Sequence, residues 1–441
     1  MIDKWYDWIG SFWNMPFIIK GNFVKQSMVD CLDKNEKFFL YINTLQEIPA
    51  VFDKIPDDYV NNVAHWWNYS EAEMDERMGD WSKKLLHLDI DFGKKCRLSC
   101  PHCFKNNIKL DDLNKDLHLK ELSEEELRNI ILELKSLWLK TVKICWAGEP
   151  FDNKNFLPFL EFLCENGLWV SVFTKWYVLG NDKLTSQLYG HLWINTGLDL
   201  CKRLKELDVS VLFGLNSFDS ELQKKHSGVE KWDNYIEYRD QALINLVNAW
   251  LNQYLPWNPT RLAIIMAPVK PENLLESKEI YIWSRMRNIY PVCCPTNNAG
   301  LWKNENNRIS KQYWDYQSDL IKLYTDIYIR NIENWIMDIE SLKIEWIWLY
   351  PWAHPCTQTS IGFYLDLYGQ IMSCVWHDTE SEDLKISENI LEEKDLKKVR
   401  KESANYTRRW FNQKCIARDG ITLSLDFYDK IMKNVQEYFT K

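Results

Sequence analysis

The fold of this 441-residue chain is decided by residues 88–104, LDIDFGKKCRLSCPHCF. The first residues of this stretch alternate between apolar and polar side chains, which is typical of a strand. Three cysteines follow on one short loop with the spacing C-x3-C-x2-C, namely Cys96, Cys100 and Cys103. Three thiolates can hold three irons of a four-iron, four-sulfur cluster and leave the fourth iron open to a small molecule. The spacing alone also fits a zinc loop, which normally needs four ligands, or thiols that bind no metal.

Strand-like and helix-like segments alternate between residues 82 and 295. One helix has a clear start, because Ser123 and Glu126 have the spacing of a capping box. Repeated strand-helix units give parallel strands. The sequence therefore predicts an α/β fold, a partial (β/α)6 TIM-type barrel whose ligands bind at the carboxyl ends of the strands. The predicted strands are residues 85–91, 142–145, 170–174, 209–215, 261–267 and a short segment near Tyr290, and the predicted helices are residues 123–137, 155–166, 202–207, 235–252 and 277–288.

A tripeptide, Gly148-Glu149-Pro150, follows the second predicted strand and is preceded by Ala147. A Gly-Glu-Pro tripeptide by itself is usually a plain turn. Together with the cysteine triplet, however, it resembles the radical S-adenosylmethionine (SAM) superfamily, whose members carry Gly-Gly-Glu-Pro at this point. The resemblance implies that the three cysteines bind a 4Fe-4S cluster whose open iron chelates the amino and carboxylate groups of SAM. It also implies that the tripeptide meets the SAM amino group.

Polar side chains elsewhere at the predicted strand ends are further candidates for binding SAM. Asn216 and Ser217 end the fourth strand, where the resemblance implies contacts with the ribose or carboxylate of SAM; an Asx-type turn explains them equally well. Lys175 follows the third strand and either pairs with the SAM carboxylate or is solvated. His102 precedes the third cysteine, where the family often has an aromatic residue against adenine. Histidine departs from that pattern but still permits stacking.

The C-terminal part contains a second set of cysteines. Cys356 and Cys374 flank two strand-like segments that a turn joins, so a hairpin would bring them together, and Cys415 follows later. With the G-x4-C spacing from Gly369 to Cys374, this pattern resembles the SPASM/Twitch auxiliary-cluster domains. The resemblance implies one auxiliary 4Fe-4S cluster. Its fourth ligand would come from Cys293, from Cys294 or from substrate. Structural or zinc-binding cysteines are the alternative.

These assignments divide the chain into three regions. Residues 1–81 form an N-terminal extension to which we assign no chemistry, and residues 82–295 form the radical SAM partial barrel. Residues 296–441 form a small α+β, SPASM/Twitch-like domain. The resemblance covers roughly residues 84–420.

Composition indicates a globular protein, with 46% apolar and 27% charged residues. We find no apolar run of about 18 residues, which a membrane span needs, and no secretory signal at the start. We therefore expect a cytoplasmic protein without a membrane partner. Its 12 cysteines then favour metal ligation or catalysis over disulfides. The net charge of −9 disfavours a nucleic acid partner, whose phosphates select basic surfaces.

Tryptophan is unusually frequent, with 23 residues, whereas glycine occurs only 15 times. Average usage of roughly 7% would give about 31 glycines in a chain of this length. Trp138, Trp169 and Trp176 stand at predicted joints between elements, where glycine is favoured, and Trp146 lies just before the Gly-Glu-Pro turn.

Our hypothesis is that many tryptophans are glycines in the organism, because a UGA codon read there as glycine was translated as tryptophan. An unusually Trp-rich protein is the alternative. The hypothesis predicts positive φ at several of these positions.

The resemblance to the radical SAM superfamily implies a specific activity. An electron enters the cluster, SAM is cleaved reductively to methionine and a 5'-deoxyadenosyl radical, and the radical takes a hydrogen atom from substrate. We expect a peptide or protein side chain as substrate, because auxiliary-cluster members often act on peptides. We also expect an electron donor such as flavodoxin or ferredoxin. The alternatives are a small-molecule substrate, such as a sugar or nucleotide, and a non-catalytic iron-sulfur electron-transfer or binding protein.

Overall fold

The computed structural model describes the chain in segments. The described residues are 72, 75, 80–103, 120–145, 148–231, 234–253, 260–285, 287–333, 362–375, 385–387, 389–392, 395–410 and 422–440. Trp146, Cys356 and Cys415 lie outside these residues, as does most of the predicted N-terminal extension, so our predictions on them stay predictions.

Six parallel strands form most of a nine-stranded sheet. Each of the first five strands pairs in parallel with the strand that follows it in sequence. All six carboxyl ends therefore lie at one edge of the sheet. The mixed α/β fold with a mainly parallel sheet, predicted from the alternation of segments, is confirmed. The strands are β1 (His87–Asp91), β2 (Thr141–Cys145), β3 (Trp169–Thr174), β4 (Ser210–Gly214), β5 (Leu262–Met266) and β6 (Tyr290–Cys293).

Helices connect the strands, and local sequence sets several of their starts. The predicted capping box is confirmed, since Ser123 Oγ accepts from the Glu126 amide at 3.2 Å and Glu126 Oε2 accepts from the Ser123 amide at 2.7 Å. No helix in the described segments combines the length and apolar character needed to cross a membrane. The helices are α1 (Glu124–Lys135), α2 (Phe156–Glu165), α3 (Asp182–Tyr189), α4 (Gly197–Glu206), α5 (Ser220–Ser227), α6 (Tyr235–Asn248), α7 (Leu274–Arg285), α8 (Trp302–Gln312), α9 (Tyr316–Glu333), α10 (Leu396–Trp410) and α11 (Phe427–Thr440), with short 3-10 helices at Trp81–Lys83, Pro150–Asp152 and Gly190–Leu192.

The two faces of the sheet differ in chemistry. One face, which includes Leu88, Ile90 and Val142, packs into the main hydrophobic core with the helices. The other face carries a buried ion pair between Lys143 Nζ and Asp89 Oδ1, 2.9 Å apart. Burial would raise the pKa of Asp89, but the charges of Lys143 and His87 outweigh it and hold that pKa well below its usual range. The strands therefore separate an apolar core from a face that includes charged groups.

The connections that lead into β2, β3, β4, β5 and β6 contain the same left-handed turn. In each, one residue has positive φ and the next residue donates its amide to a carbonyl five positions earlier, as in a Schellman motif. An apolar residue follows the turn in each case, and the strand begins one or two residues later except at β5, which begins at Leu262. The left-handed residues are Trp138 (φ 80°), Gly167 (70°), Asp208 (56°), Trp250 (64°) and Asn288 (52°).

Tryptophan dominates the positive-φ residues other than glycine. Among the described residues there are six, of which four are Trp138, Trp176, Trp193 and Trp250. The expected positive φ is thus confirmed at Trp138 and Trp176. Trp169 is different, because it is the first residue of β3 and is not among the positive-φ residues.

Three C-terminal strands, β7 (Gly362–Leu365), β8 (Ile371–Met372) and β9 (Lys385–Ser387), extend the same sheet. The predicted hairpin is present, because β7 and β8 pair in antiparallel fashion. The parallel pairing of β7 with β1 was not predicted from the sequence. It joins strands far apart in the chain, and the sheet therefore has three strands beyond the predicted six.

Candidate functional site

The cysteine loop leaves the carboxyl end of β1. Cys96 is exposed and Cys100 and Cys103 are partly exposed, while Leu98 between them is buried. The Cys103 amide donates to the Cys100 carbonyl at 3.1 Å, which closes a turn. Desolvation raises the pKa of the Cys100 thiol to about 11; Lys175 opposes this rise and Cys103 adds to it. The thiol is therefore protonated without metal, and metal binding would release its proton.

The donor set of this loop, three thiols on one short segment, is compatible with an iron-sulfur cluster. Across the described segments, no three His, Cys, Asp or Glu side chains stand close enough to hold one metal ion. A 4Fe-4S cluster binds each cysteine through a different iron, so the thiolates need not converge on one point. Three accessible thiols on one loop at the sheet edge meet that requirement.

The Gly148-Glu149 turn packs directly against the cysteine loop. The Glu149 amide donates to the Lys95 carbonyl at 2.8 Å. A Cβ atom at Gly148 would lie 2.4 Å from the same carbonyl oxygen, a distance that real side chains do not reach. Glycine is therefore required here because two backbones meet. Pro150 starts the short 3-10 helix that carries the chain away.

The carboxyl group of Glu149 joins this turn to the end of β3. Oε1 accepts from Thr174 Oγ1 at 2.7 Å and Oε2 accepts from the Lys175 amide at 2.6 Å. Glu149 is 4% exposed, and desolvation raises its pKa to about 7 despite these hydrogen bonds. The carboxyl group therefore changes charge near neutral pH.

Lys175 and Asn216 lie together, whereas Ser217 is held by other groups. Lys175 Nζ lies 3.4 Å from Asn216 Oδ1, and a Cβ at Gly214 would lie 2.8 Å from the same Nζ, so glycine there makes room for the lysine. Ser217 Oγ donates to Glu276 Oε2 at 2.5 Å. Of the two residues predicted after β4, Asn216 is the one that contacts Lys175.

A salt bridge that sequence reasoning missed anchors the cysteine loop. Arg97 Nε lies 3.0 Å from Asp152 Oδ2, and Tyr177 Oη lies 3.3 Å from the same oxygen. Asp152 belongs to the 3-10 helix after the Gly-Glu-Pro turn. The only signal for it was its place two residues after that motif, since a partner 55 positions away leaves no local pattern.

His102 is buried at 3% exposure beside His226 of α5, with ring centroids 5.3 Å apart and the rings edge to face. Sequence reasoning predicted the first of these histidines and missed the second. Nothing in the spacing of α5 distinguishes His226 from an ordinary helical residue.

The second cysteine set is described only in part. Cys374 is buried. Cys294, which belongs to the same predicted ligand set, follows β6 and is partly exposed. The Cys294 amide donates to the Met266 carbonyl at 3.0 Å. Cys356 and Cys415 lie outside the described residues, so the auxiliary cluster stays a prediction.

Comparison with known proteins concerns the site formed by the cysteine loop and the Gly-Glu-Pro turn. The family model described as the Radical SAM superfamily matches residues 90–239. This match contains the cysteine loop, the Gly-Glu-Pro turn and the ends of β3 and β4. No curated protein matches the chain.

Three solved structures of SuiB from Streptococcus suis are similar to the chain, each with a TM-score of 0.40. The SAM-bound structure and the structure bound to precursor peptide SuiA are each 17% identical and cover 72% of this chain and 64% of that one. The match to a further SuiB structure has 16% identity and covers 74% of this chain and 68% of that SuiB chain. The chain thus spans about 64% of the length of the SAM-bound SuiB chain. Residues 90–239 are therefore similar to a radical SAM domain.

Proposed function

We propose that the chain is a radical SAM enzyme that cleaves SAM reductively and abstracts hydrogen from a substrate. The observation that supports this most is the close packing of the cysteine loop on the Gly148-Glu149 turn, with 2.8 Å between the Glu149 amide nitrogen and the Lys95 carbonyl oxygen. This contact brings the proposed cluster ligands and the proposed SAM contacts to one point at the carboxyl edge of the sheet.

The residues of the site have distinct roles in this proposal. A 4Fe-4S cluster bound by Cys96, Cys100 and Cys103 would supply the electron that cleaves SAM to methionine and a 5'-deoxyadenosyl radical. Ionised Glu149 accepts a hydrogen bond from the amino group of SAM, and Lys175 attracts the carboxylate. Both groups are held in place by hydrogen bonds, so they bind SAM in one orientation and reduce the entropy lost in the reaction.

We propose a peptide or protein side chain as the substrate and a flavodoxin or ferredoxin as the electron donor. This proposal follows the resemblance of the C-terminal cysteines to auxiliary-cluster domains. An auxiliary cluster at Cys374, Cys356, Cys415 and Cys294 would accept an electron from the substrate radical or bind substrate directly. A sugar or nucleotide is the competing substrate class.

Anaerobic reconstitution with iron and sulfide, followed by reduction with dithionite and addition of SAM, tests the activity. We expect 5'-deoxyadenosine and methionine in equal amounts, and no product from the Cys100→Ala variant. Cys164→Ala is the matched control, because Cys164 lies on α2 away from the cysteine loop. Absence of 5'-deoxyadenosine from protein with its full iron content would support an electron carrier or binding protein instead.

We further propose that glycine is the native residue at many tryptophan positions, because the organism reads UGA as glycine. Three positions support this most directly. Trp138 and Trp250 take the place in the left-handed turn that Gly167 takes before β3. Trp193 has φ 65° and precedes Ile194, whose amide donates to the Tyr189 carbonyl at 3.3 Å, so it has the same turn. Bulky residues rarely adopt this conformation.

The gene sequence tests this proposal without any protein. We expect UGA at most of the 23 tryptophan positions, and UGG at most of them would overturn the proposal. Mass spectrometry of the protein from its own organism gives an independent answer, because each glycine makes its peptide lighter. The SAM-cleavage assay should accordingly be run on both the tryptophan and the glycine form.

A further inference from the structure

His226 is a buried histidine whose ring nitrogens have no hydrogen-bond partner among the described residues. Its exposure is 2%, and both Nδ1 and Nε2 lack a partner. Native proteins pair nearly all such groups, because an unpaired buried group has lost its hydrogen bonds to water without replacement. Two unpaired nitrogens on one ring leave His226 able to pair with a ligand.

The position of His226 identifies which ligand is near. Its ring meets His102 at a centroid distance of 5.3 Å, and His102 immediately precedes Cys103 in the chain. His102 Nδ1 also lacks a partner among the described residues. The two histidines thus present three unpaired ring nitrogens beside the cysteine loop.

The backbone fixes α5 to that loop, so the ring position is well defined. The Ser99 amide donates to the Ser227 carbonyl at 3.2 Å. At Gly228, which follows α5, a Cβ atom would lie 2.0 Å from the Ser99 carbonyl oxygen. The end of α5 and the cysteine loop therefore move as one unit, and His226 cannot turn away from the loop without disrupting both.

The protonation state of His226 suits a ligand group that both donates and accepts hydrogen bonds. Burial lowers the pKa of His226 well below its ordinary value, and the nearby charges of Lys270 and Lys175 lower it further. The imidazole is therefore neutral, with one nitrogen that donates and one that accepts. The amino and carboxylate groups of SAM have other partners in our proposal, namely Glu149 and Lys175. The uncharged part of SAM that offers both donors and acceptors is its adenosyl moiety.

We propose that His226 recognises the adenosyl moiety of SAM, with its ring nitrogens hydrogen-bonded to the adenine edge or the ribose hydroxyls beside His102. This assignment rests on the proposed function. It makes His226 a specificity-determining residue of the SAM site, supplied by α5 and not by the cysteine loop or the Gly-Glu-Pro turn.

Equilibrium dialysis of reconstituted protein under anaerobic conditions tests the proposal, with SAM, 5'-deoxyadenosine and methionine as separate probes. His226→Phe keeps a ring against His102 but removes both nitrogens. We expect its affinity for SAM and for 5'-deoxyadenosine to fall about tenfold, which corresponds to about 1.4 kcal/mol, and its affinity for methionine to stay unchanged. His191→Phe is the matched control, because His191 is an exposed histidine on the 3-10 helix Gly190–Leu192.

The outcomes separate this inference from the proposed function. Wild-type protein that carries its cluster but binds no SAM would contradict the proposed function. Wild-type protein that binds SAM, with unchanged affinity in His226→Phe or with a loss confined to methionine, would overturn the role of His226. If His226→Phe loses iron, His226→Asn and two SAM analogues, one methylated at the adenine amino group and one without the ribose hydroxyls, give the same answer. We expect at least one analogue to bind wild type at least tenfold more weakly than SAM, and equal binding of SAM and both analogues would overturn the proposal.

Discussion

The two edges of the parallel sheet obey different constraints. At the carboxyl edge, residue identity is set by chemistry and by contact between loops, as at Glu149 and at Gly148, where an added Cβ would lie 2.4 Å from the Lys95 carbonyl oxygen. At the amino edge, five helix-to-strand joints repeat one backbone conformation, yet their left-handed residues are of four types. Gly167 has no atom within 4 Å of an added Cβ, so only its φ of 70° favours glycine there.

The comparison teaches how each edge should respond to substitution. Changes at the carboxyl edge should alter cluster and SAM binding, whereas changes in the left-handed turns should alter stability alone. Asp208 and Asn288 belong to residue types that tolerate positive φ, but Trp138 and Trp250 do not. The experiments below test this division, from the largest expected effect to the smallest.

Cys100→Ala should produce the largest effect. Removing one of three thiolate ligands leaves the cluster without full protein ligation. We therefore expect the visible iron-sulfur absorption and SAM cleavage to fall at least about a hundredfold. This loss is larger than that typical of mutations in residues that only orient the metal ligands. Absorption spectroscopy and product analysis measure this. Thermal unfolding of the metal-free protein should not change by more than about 0.5 kcal/mol. An equal loss of iron in Gly167→Ala would contradict the division between the edges.

Gly148→Ala should affect both binding and folding. The added methyl group must push the cysteine loop away from the Gly-Glu-Pro turn, so we expect SAM affinity to fall more than about tenfold and stability to fall by about 2 kcal/mol, as for overpacked sites. Dialysis and denaturant unfolding measure the two effects. Gly190→Ala is the control, because its added Cβ would lie no closer than 3.4 Å to another atom. Normal SAM binding in Gly148→Ala would show that the loop contact is not needed for the site.

The pH dependence of SAM binding tests the role of Glu149. Its pKa of about 7 means that the carboxyl group is mostly neutral at pH 6 and mostly ionised at pH 8. Because the ionised carboxylate accepts a much stronger hydrogen bond from the SAM amino group than the neutral form does, affinity should rise with pH and be about tenfold weaker at pH 6 than at pH 8. Glu149→Gln should bind weakly with a flat profile between these values. The same slope in wild type and Glu149→Gln would assign the dependence to another group.

Trp193→Gly should have the smallest effect, and it should stabilise the protein. Trp193 is 88% exposed with φ 65°, so the change releases a left-handed backbone strain of about 1 kcal/mol and removes little packing. Denaturant unfolding measures this. Trp314 is the matched control, because it is also 88% exposed but is not among the described residues with positive φ.

Trp314→Gly should therefore destabilise the protein by roughly 0.4–1 kcal/mol, because glycine gives the unfolded chain more conformational freedom. Gly167→Ala is the opposite substitution, in which a side chain is added to a left-handed residue. We expect it to lower the free energy of unfolding by about 1 kcal/mol. If both tryptophan variants shifted stability in the same direction, the backbone conformation would not explain the effect at Trp193.

The sequence by itself determined the features that depend on neighbouring residues. The strand and cysteine spacing of residues 88–104, the capping box of Ser123 and Glu126 and the hairpin of β7 and β8 all follow from local pattern. The alternation of strand-like and helix-like segments predicted a parallel sheet for the same reason. Local hydrogen bonds and hydrophobic periodicity set each of these features.

Only the tertiary structure decided the features that join distant parts of the chain. The parallel pairing of β7 with β1, the Arg97–Asp152 salt bridge and the contact of His226 with His102 bring together residues that no spacing rule relates. Such contacts form because packing of the whole sheet places the loops side by side. The residue types at the carboxyl edge of the sheet could thus be predicted from the sequence, but the residues that they contact depend on how the chain packs.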